Sequence, residues 1–264
     1  MGILNVTPDS FFDGGRYLHP QAALEHAREM VTDGAAFIDV GGESTRPGSD
    51  AVETAEEIRR VVPIIQAIAK DLDVTISIDT KKPAVMQAAL DAGAHLINDV
   101  RALQERGALE VVAKSRAAVC LMHMQGDPKT MQHEPSYIDV VAEVRAFLRE
   151  RITECQDAGI EPSRILVDPG IGFGKGLEHN LALLAAIRTL ASDGPATLIG
   201  VSRKSMLGRL LGRAAQERVA GGIAVATAAV LAGAKVIRTH DVRETVDALK
   251  VASALRSHGY ASLD

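Results

Sequence analysis

Eight short apolar runs in the chain each end on side chains that can hydrogen-bond or carry charge. The ends are Asn5, Asp39, Asp79, Asn98 with Asp99, His123, Asp168, Ser202-Arg203-Lys204 and Arg238-Thr239-His240. The beginnings of the runs show no such series. Asp79, Asp168 and the carboxamide of Asn98 can accept hydrogen bonds from a flat, donor-rich heterocycle. A carboxylate that accepts two parallel N–H bonds suits an amidine- or guanidine-like edge. Lys204, Arg238 and His240 supply positive charge from the last two runs, which suits a phosphate or diphosphate. The set reads as a heterocycle held beside a bound anion. No Ser-His-Asp or Cys-His arrangement and no HExxH spacing accompanies it.

For these side chains to meet, the runs must lie side by side and in one direction. The runs at 2–6, 36–40, 74–79, 95–98, 118–122, 165–168, 197–201 and 235–239 are rich in β-branched residues and read as strands. Longer amphipathic stretches at 20–33, 51–72, 83–91, 137–158, 181–190 and 242–256 read as helices. Gly34, Gly93, Gly159 and Gly233 stand where helices end, and Pro20, Pro83 and Pro162 where a helix or turn begins. A regular β-then-α alternation implies a parallel sheet under helical cover. Eight units without a break in composition predict an α/β fold, a single-domain (β/α)8 TIM barrel spanning residues 1–264. An open doubly wound sheet would place a glycine-rich turn after its first strand, where this chain has Thr7-Pro8-Asp9-Ser10. Active sites of barrels lie at the C-terminal strand ends, so the polar ends converge there. Strand alternation puts Ser77 on one face with Asp79, Leu166 with Asp168, and Arg238 with His240, while Thr239 points the other way. Pro169 biases Asp168 toward extended backbone.

The ends do not weigh equally. An Asp at a strand end is often a helix cap or turn former, and Asp39 and Asp99 are read in that supporting sense. His123, between two methionines, is either a rim histidine or a member of the site. The glycine-rich segment from Gly170 to Gly176 fails the P-loop spacing, because Gly176 follows Lys175 where Ser or Thr is required. It reads as a flexible loop that lets backbone approach a ligand.

Bulk properties exclude several classes. The net charge is -5, no Lys/Arg run is present, and aromatics make up 3% with no Trp, so no nucleic-acid partner is expected. Cys120 and Cys155 stand far apart, which suggests neither a disulfide nor a thiolate zinc site and fits a reducing cytoplasm. The first residues lack the basic and apolar pattern of a secretory signal. The first strand begins at the start of the sequence, so no preceding element is expected to plug the barrel bottom. The stretch from Val219 to Ala232 is apolar almost all round but too short and too rich in Ala and Gly to span a membrane. A helix apolar on all sides is usually buried on both faces, so a homodimer contact is expected there.

Several motifs together resemble dihydropteroate synthase. They are Gly2-Ile-Leu-Asn-Val-Thr-Pro-Asp-Ser-Phe11 with Asp13-Gly14-Gly15, and Asp39-Val-Gly-Gly-Glu-Ser-Thr-Arg-Pro-Gly48. Ser77-Ile-Asp-Thr80, Ile97-Asn-Asp99, Cys120-Leu-Met-His-Met-Gln-Gly126 and Asp168-Pro-Gly-Ile-Gly-Phe-Gly-Lys175 follow, then Ser202-Arg-Lys-Ser-Met206 and Arg238-Thr-His-Asp241. The resemblance implies condensation of 6-hydroxymethyl-7,8-dihydropterin diphosphate with 4-aminobenzoate. It assigns Asp79, Asn98, Asp168 and Lys204 to the pterin. It assigns Asn5, Thr45, Arg238 and His240 to the diphosphate, with Mg²⁺ on Asn5, and Phe11, Thr45, Pro47 and Ser205 to the aminobenzoate. Asp13, Lys204, Arg238 and His240 are the residues it implies for catalysis.

Two positions depart from the family pattern. Phe12 replaces a Ser in the first loop, where it could alter loop closure or aminobenzoate affinity. Lys81 replaces a Ser before Lys82-Pro83, with no catalytic effect expected. The second loop carries no insertion, so inhibition by sulfonamides is expected. Alternatives are a methyltetrahydrofolate-binding module of a corrinoid methyltransferase, which would need no Arg238-x-His240 pair, and a paralogue that has lost activity. A sugar-phosphate isomerase or aldolase barrel would want a catalytic Lys or Glu deep in a strand, and none is evident.

Overall fold

The β-branched runs form strands because their side chains pack on both faces of a parallel sheet, inward to the barrel and outward to helices. A computed structural model describes residues 1–6, 20–44, 51–127, 130–131 and 133–259. The strands are β1 (Gly2–Asn5), β2 (Phe37–Gly41), β3 (Thr75–Asp79), β4 (Leu96–Asp99), β5 (Ala118–Met122), β6 (Ile165–Asp168), β7 (Ala196–Gly200) and β8 (Val236–Arg238). They lie in chain order, each parallel to the next. A parallel bridge between Gly2 and Thr239 joins the ends, with Ile3 N–H donating to the Thr239 carbonyl at 3.0 Å and Thr239 N–H to the Met1 carbonyl at 3.0 Å. The expected eight-stranded barrel is the observed fold.

Around it run α1 (Pro20–Thr32), α2 (Thr54–Asp71), α3 (Pro83–Asp91), α4 (Ala108–Lys114), α5 (Val140–Asp157), α6 (Leu177–Ala185), α7 (Ile187–Ala191), α8 (Ser205–Leu211), α9 (Val219–Leu231) and α10 (Val242–Ser257). Gly34, Gly93, Gly159 and Gly233 take φ of 99°, 112°, 87° and 113°, the left-handed geometry that ends a helix before the next strand. The helix expected from Tyr137 starts at Val140, because Asp139 caps it by accepting from the N–H groups of Val141 and Ala142. The single helix expected at 181–190 is two. It begins earlier, at Leu177, and breaks at Ala186 (φ −91°, ψ 10°). Two short helices, α4 and α8, were not marked by periodicity at all, being seven residues each.

The core between barrel and helices falls into two clusters. One, under α1 to α4, holds Ile38, Ile64, Ile65, Ile68, Ile76 and Ile78. The other, under α5 to α9, holds Val144, Leu183, Ile199 and Leu207. Full burial of one such side chain contributes about 2 kcal/mol, so these clusters fix the strands that carry the rim. In helix α9 only Ala226 and Ala229 are buried, and Ala220, Ala224 and Ala228 face outward. A single chain therefore does not bury it on both faces. Among the described residues, no helix is long and apolar enough to cross a membrane.

Candidate active site

Strand register places the polar ends in one tier. Asn5 lies beside Gly41, Gly41 beside Asp79, Asp79 beside Asn98, and Asn98 beside Cys120. Asp168 pairs one step higher with Met122, and Arg238 lies beside Gly200. Gly41 leaves the space between two of these groups open. A Cβ there would lie 3.7 Å from Asn5 Oδ1 and 3.9 Å from Asp79 Oδ2.

On one side of the mouth, Arg238 reaches across to β2 and β3. Its Nε donates to Asp39 Oδ2 at 2.6 Å and its Nη2 to Asp79 Oδ2 at 2.9 Å. Asp39, fully buried, also accepts from Ser77 Oγ at 2.5 Å and from Asn98 Nδ2 at 3.0 Å. It is the hub that orients three neighbours, and not the helix cap or turn former expected, because its partners are side chains of β3, β4 and β8 and not backbone N–H groups. Burial pushes the Asp79 carboxyl up to about 7, against the pull of Arg238 and with the help of Asp39. Burial opposes the charge on Arg238, yet the attraction of Asp39 and Asp79 outweighs it and the guanidinium is held more firmly charged than usual. Asp79 Oδ1 is buried and has no hydrogen-bond partner. A buried acceptor in that state costs free energy until a donor arrives.

On the other side, Asp168 Oδ1 accepts from Gly170 N–H at 2.7 Å. Burial raises its pKa, and Lys204 opposes the rise. Lys204 Nζ donates to the Ile171 carbonyl and lies 4.6 Å from the centre of the Phe173 ring. Burial lowers the Lys204 ammonium to about 8, with Asp168 holding it up. His240 Nδ1 lies 3.1 Å from Ser202 Oγ, and its backbone N–H donates to the same oxygen at 3.2 Å. Ser205 opens α8 and is exposed.

Asp99 is a turn former, accepting from Arg101 N–H and Leu103 N–H, both at 2.8 Å. Burial moves its carboxyl to about 6, against those two bonds. The structure thus brings together Asn5, Asp79, Asn98, Asp168, Lys204, Arg238 and His240. Phe11, Asp13, Thr45 and Pro47, with Phe12, lie outside the described residues.

One expectation is overturned in this region. The segment from Gly170 to Gly176 is a packed turn, not a loose loop. Gly170, Gly172 and Gly174 take φ of 69°, 83° and 62°. A Cβ on Gly170 would stand 1.8 Å from the His123 carbonyl oxygen, and one on Gly174 2.3 Å from the Gln125 carbonyl oxygen. Asn180 accepts from Gly172 N–H at 2.7 Å and donates to the Gly176 carbonyl at 2.7 Å, and Tyr137 Oη donates to the Gly174 carbonyl at 2.8 Å.

Sequence reasoning also missed the braces behind the rim. Arg203, at φ 60°, donates to Asp241 Oδ1 at 2.5 Å, and Arg218 Nη1 donates to the Arg203 carbonyl at 2.9 Å. Arg203 and Asp241 both sit inside motifs that carry the family resemblance, which was the available signal. Arg218 offered none, since its acceptors are backbone.

The mouth of the barrel sets buried carboxylates against cations, the setting of an enzyme that binds a polar heterocycle beside an anion. The chain matches the Pterin binding enzyme family over residues 1–240 and belongs to that family. Among its similar relatives is the dihydropteroate synthase of Escherichia coli (strain K12), 51% identical over 257 residues, covering 97% of this chain and 91% of that one. A crystal structure of Yersinia pestis dihydropteroate synthase with a sulfonamide drug complex superposes with a TM-score of 0.92 at 52% identity, covering 97% of this chain and 93% of that one. Xanthomonas albilineans dihydropteroate synthase with 4-aminobenzoic acid gives a TM-score of 0.92 at 49% identity, covering 97% and 92%.

Proposed function

We propose that the chain is a dihydropteroate synthase, a transferase of folate biosynthesis. It joins 4-aminobenzoate to 6-hydroxymethyl-7,8-dihydropterin diphosphate and releases 7,8-dihydropteroate and diphosphate. The observation that carries this reading is the unpartnered Asp79 Oδ1, buried beside Arg238 in a barrel mouth that also presents Asn98, Asp168 and Lys204. A donor-rich pterin supplies an N–H group to the one Asp79 oxygen that lacks a partner. Identity near half over almost the whole length of known synthases supports the same reading.

In this reading Asp79, Asn98, Asp168 and Lys204 hold the pterin. Arg238, His240 and Asn5 meet the diphosphate, with Thr45. Fixed positive charge stabilises the charge that develops on a leaving diphosphate. The aminobenzoate amine is already a usable nucleophile, so no strong base is needed. The family resemblance assigns Phe11, Thr45, Pro47 and Ser205 to its recognition. Asp13 stabilises the cationic methylene formed if the C–O bond breaks first. Positional isotope exchange within the diphosphate in the absence of aminobenzoate tests that order.

Asn5 suits Mg²⁺. It offers a hard carboxamide oxygen beside the open space over Gly41, and a magnesium ion takes its other ligands from phosphate and water. Among the described residues, no group of three or more His, Cys, Asp or Glu could hold a metal without substrate. Bound there with diphosphate, the ion would offset the leaving group's charge.

The enzyme works in the cytoplasm as a homodimer, with α9 in the contact. The apolar, half-exposed α9 supports this, as do Val251 and Leu255, exposed four residues apart on the neighbouring α10. Ala224→Glu should give a monomer by light scattering at micromolar concentration. The structure of the Yersinia pestis relative with a sulfonamide supports competitive inhibition by sulfonamides against aminobenzoate. The main test is diphosphate release with and without 4-aminobenzoate. No aminobenzoate-dependent release would overturn the proposal.

A further inference from the structure

Among the described residues, Lys175 is the largest side chain that the fold buries almost completely, with 2% of its surface exposed. An ammonium has three N–H donors and no acceptor. All three have protein partners: His123 Nδ1 at 2.9 Å, the Phe173 carbonyl at 3.0 Å and the His123 carbonyl at 3.3 Å. None is left for a phosphate, which removes the nucleotide-binding role that a lysine after a glycine-rich segment invites. While Lys175 is an ammonium it can only donate to His123 Nδ1, which requires the neutral ring with its proton on Nε2. Burial, then the nearby lysine charge, hold the His123 pKa down at about 3.

The three acceptors lie on two loops. His123 follows β5, and Phe173 lies in the turn after β6. The Lys175 ammonium therefore ties these loops at one point. That turn carries the Gly170 N–H onto Asp168 and the Phe173 ring against Lys204. Among the described residues, no carboxylate touches the ammonium directly; its charge is balanced at longer range by Asp168. A buried ammonium without a contacting counter-ion is costly, and an apolar side chain would fill the space without that cost. The charge is thus placed where Asp168 and Lys204 feel it.

We propose that Lys175 is a positioning residue for pterin recognition, fixing the loops after β5 and β6 so that Asp168 and Lys204 are presented to the heterocycle. This rests on the assignment of Asp168 and Lys204 to the pterin. Among the described residues, the charged and titratable groups acting on it are His123 after β5, Asp168 at the end of β6 and Lys204 after β7; Tyr137 before α5 lies 6.1 Å from the His123 ring, and His179 on α6 lies 5.0 Å from the Tyr137 ring. Burial lowers the Lys175 ammonium to about 7. As pH rises through that value the amine loses one donor, and the tie between the loops loosens.

The test uses the full chain as wild type, Lys175→Met, His123→Gln, His123→Leu and Asp168→Asn. Affinity for 6-hydroxymethylpterin, which lacks the diphosphate, is measured by calorimetry from pH 6 to 8.5, alongside steady-state kinetics. Lys175→Met should weaken the pterin about tenfold or more and raise KM for the pterin diphosphate alike. KM for aminobenzoate should stay within twofold, and the pterin affinity of the variant should lose the pH dependence seen in wild type. His123→Gln, which keeps an acceptor, should bind more tightly than His123→Leu; equal affinities would overturn the proposal even if Lys175→Met does not fold. Unchanged pterin affinity in Lys175→Met, with Asp168→Asn weakened, overturns this inference alone. Unchanged affinity in Asp168→Asn overturns the site assignment beneath it.

Discussion

Asp79 and Asp168 are both buried carboxylates at strand ends, yet the two sides of the mouth treat them differently. Asp79 meets a guanidinium that arrives from β8 and is shared with Asp39. Asp168 meets a backbone N–H, and its two nearby ammonium groups spend their hydrogen bonds on His123 and the turn after β6. The first side is a direct ion pair between distant strands, with one acceptor waiting. The second is a charged surround built into local backbone. Charge on the first side depends on one residue, and geometry on the second depends on glycines and a lysine.

The comparison breaks most severely at Arg238. Arg238→Ala leaves the fully buried Asp39 without its cation, and removing one partner of a buried pair costs about 3–5 kcal/mol. Aminobenzoate-dependent diphosphate release should fall by about 100-fold or more, since a lost charge-stabilising donor costs on that order. Denaturant titration and a release assay measure the two effects.

On the other side, Gly170→Ala should displace the turn. Left-handed strain alone costs about 1–3 kcal/mol, and the new Cβ would overlap the His123 carbonyl. Pterin affinity should be lost while the Arg238 pairs persist. Retained pterin affinity would show that the turn does not control Asp168.

A pH series sharpens the contrast, because the two sides have opposite signs. Asp79 is raised from an ordinary 3.8 to about 7 in the fold, so the native state binds more protons between those values. Its contribution is full below pH 4 and is lost as pH rises toward 7. Lys175 is lowered from 10.5 to about 7, so its contribution is present above 10.5 and lost as pH falls toward 7. Relative to wild type, the ligand-free melting temperature of Asp79→Asn should gain as pH rises from 4 to 7, and that of Lys175→Met should gain as pH falls from 10.5 to 7. Gains of both variants in the same direction of pH would contradict the division.

The smallest effect belongs to Ser202→Ala, which removes the oxygen facing His240 Nδ1. It should cost about 0.5–1.5 kcal/mol, read as a several-fold rise in KM for the pterin diphosphate with pterin affinity unchanged.

The barrel and its rim were legible because strand ends carry their chemistry in residue type: Asp79, Asn98, Asp168 and Arg238 stand at the termini of β-branched runs. What was not legible depends on partners far away or on backbone. Nothing in residue 39 announces a guanidinium from residue 238, so Asp39 read as a turn former although it orients Arg238, Asn98 and Ser77. Lys175 ties two loops partly through carbonyl oxygens, which every residue possesses. The break at Ala186 follows no proline or glycine. The packed turn at 170–174 was read as loose because glycine marks both freedom and close approach, and sequence does not separate them.

The bridge between Gly2 and Thr239 has a thermodynamic consequence. The substrate pocket draws on strands from both ends of the chain, so it exists only while the cylinder is shut. A ligand seated there acts as a clasp on the whole polypeptide and not on one loop. At a hundred times its dissociation constant it should stabilise the chain by about 2.7 kcal/mol. That gain should slow amide exchange even in strands on the far side of the barrel.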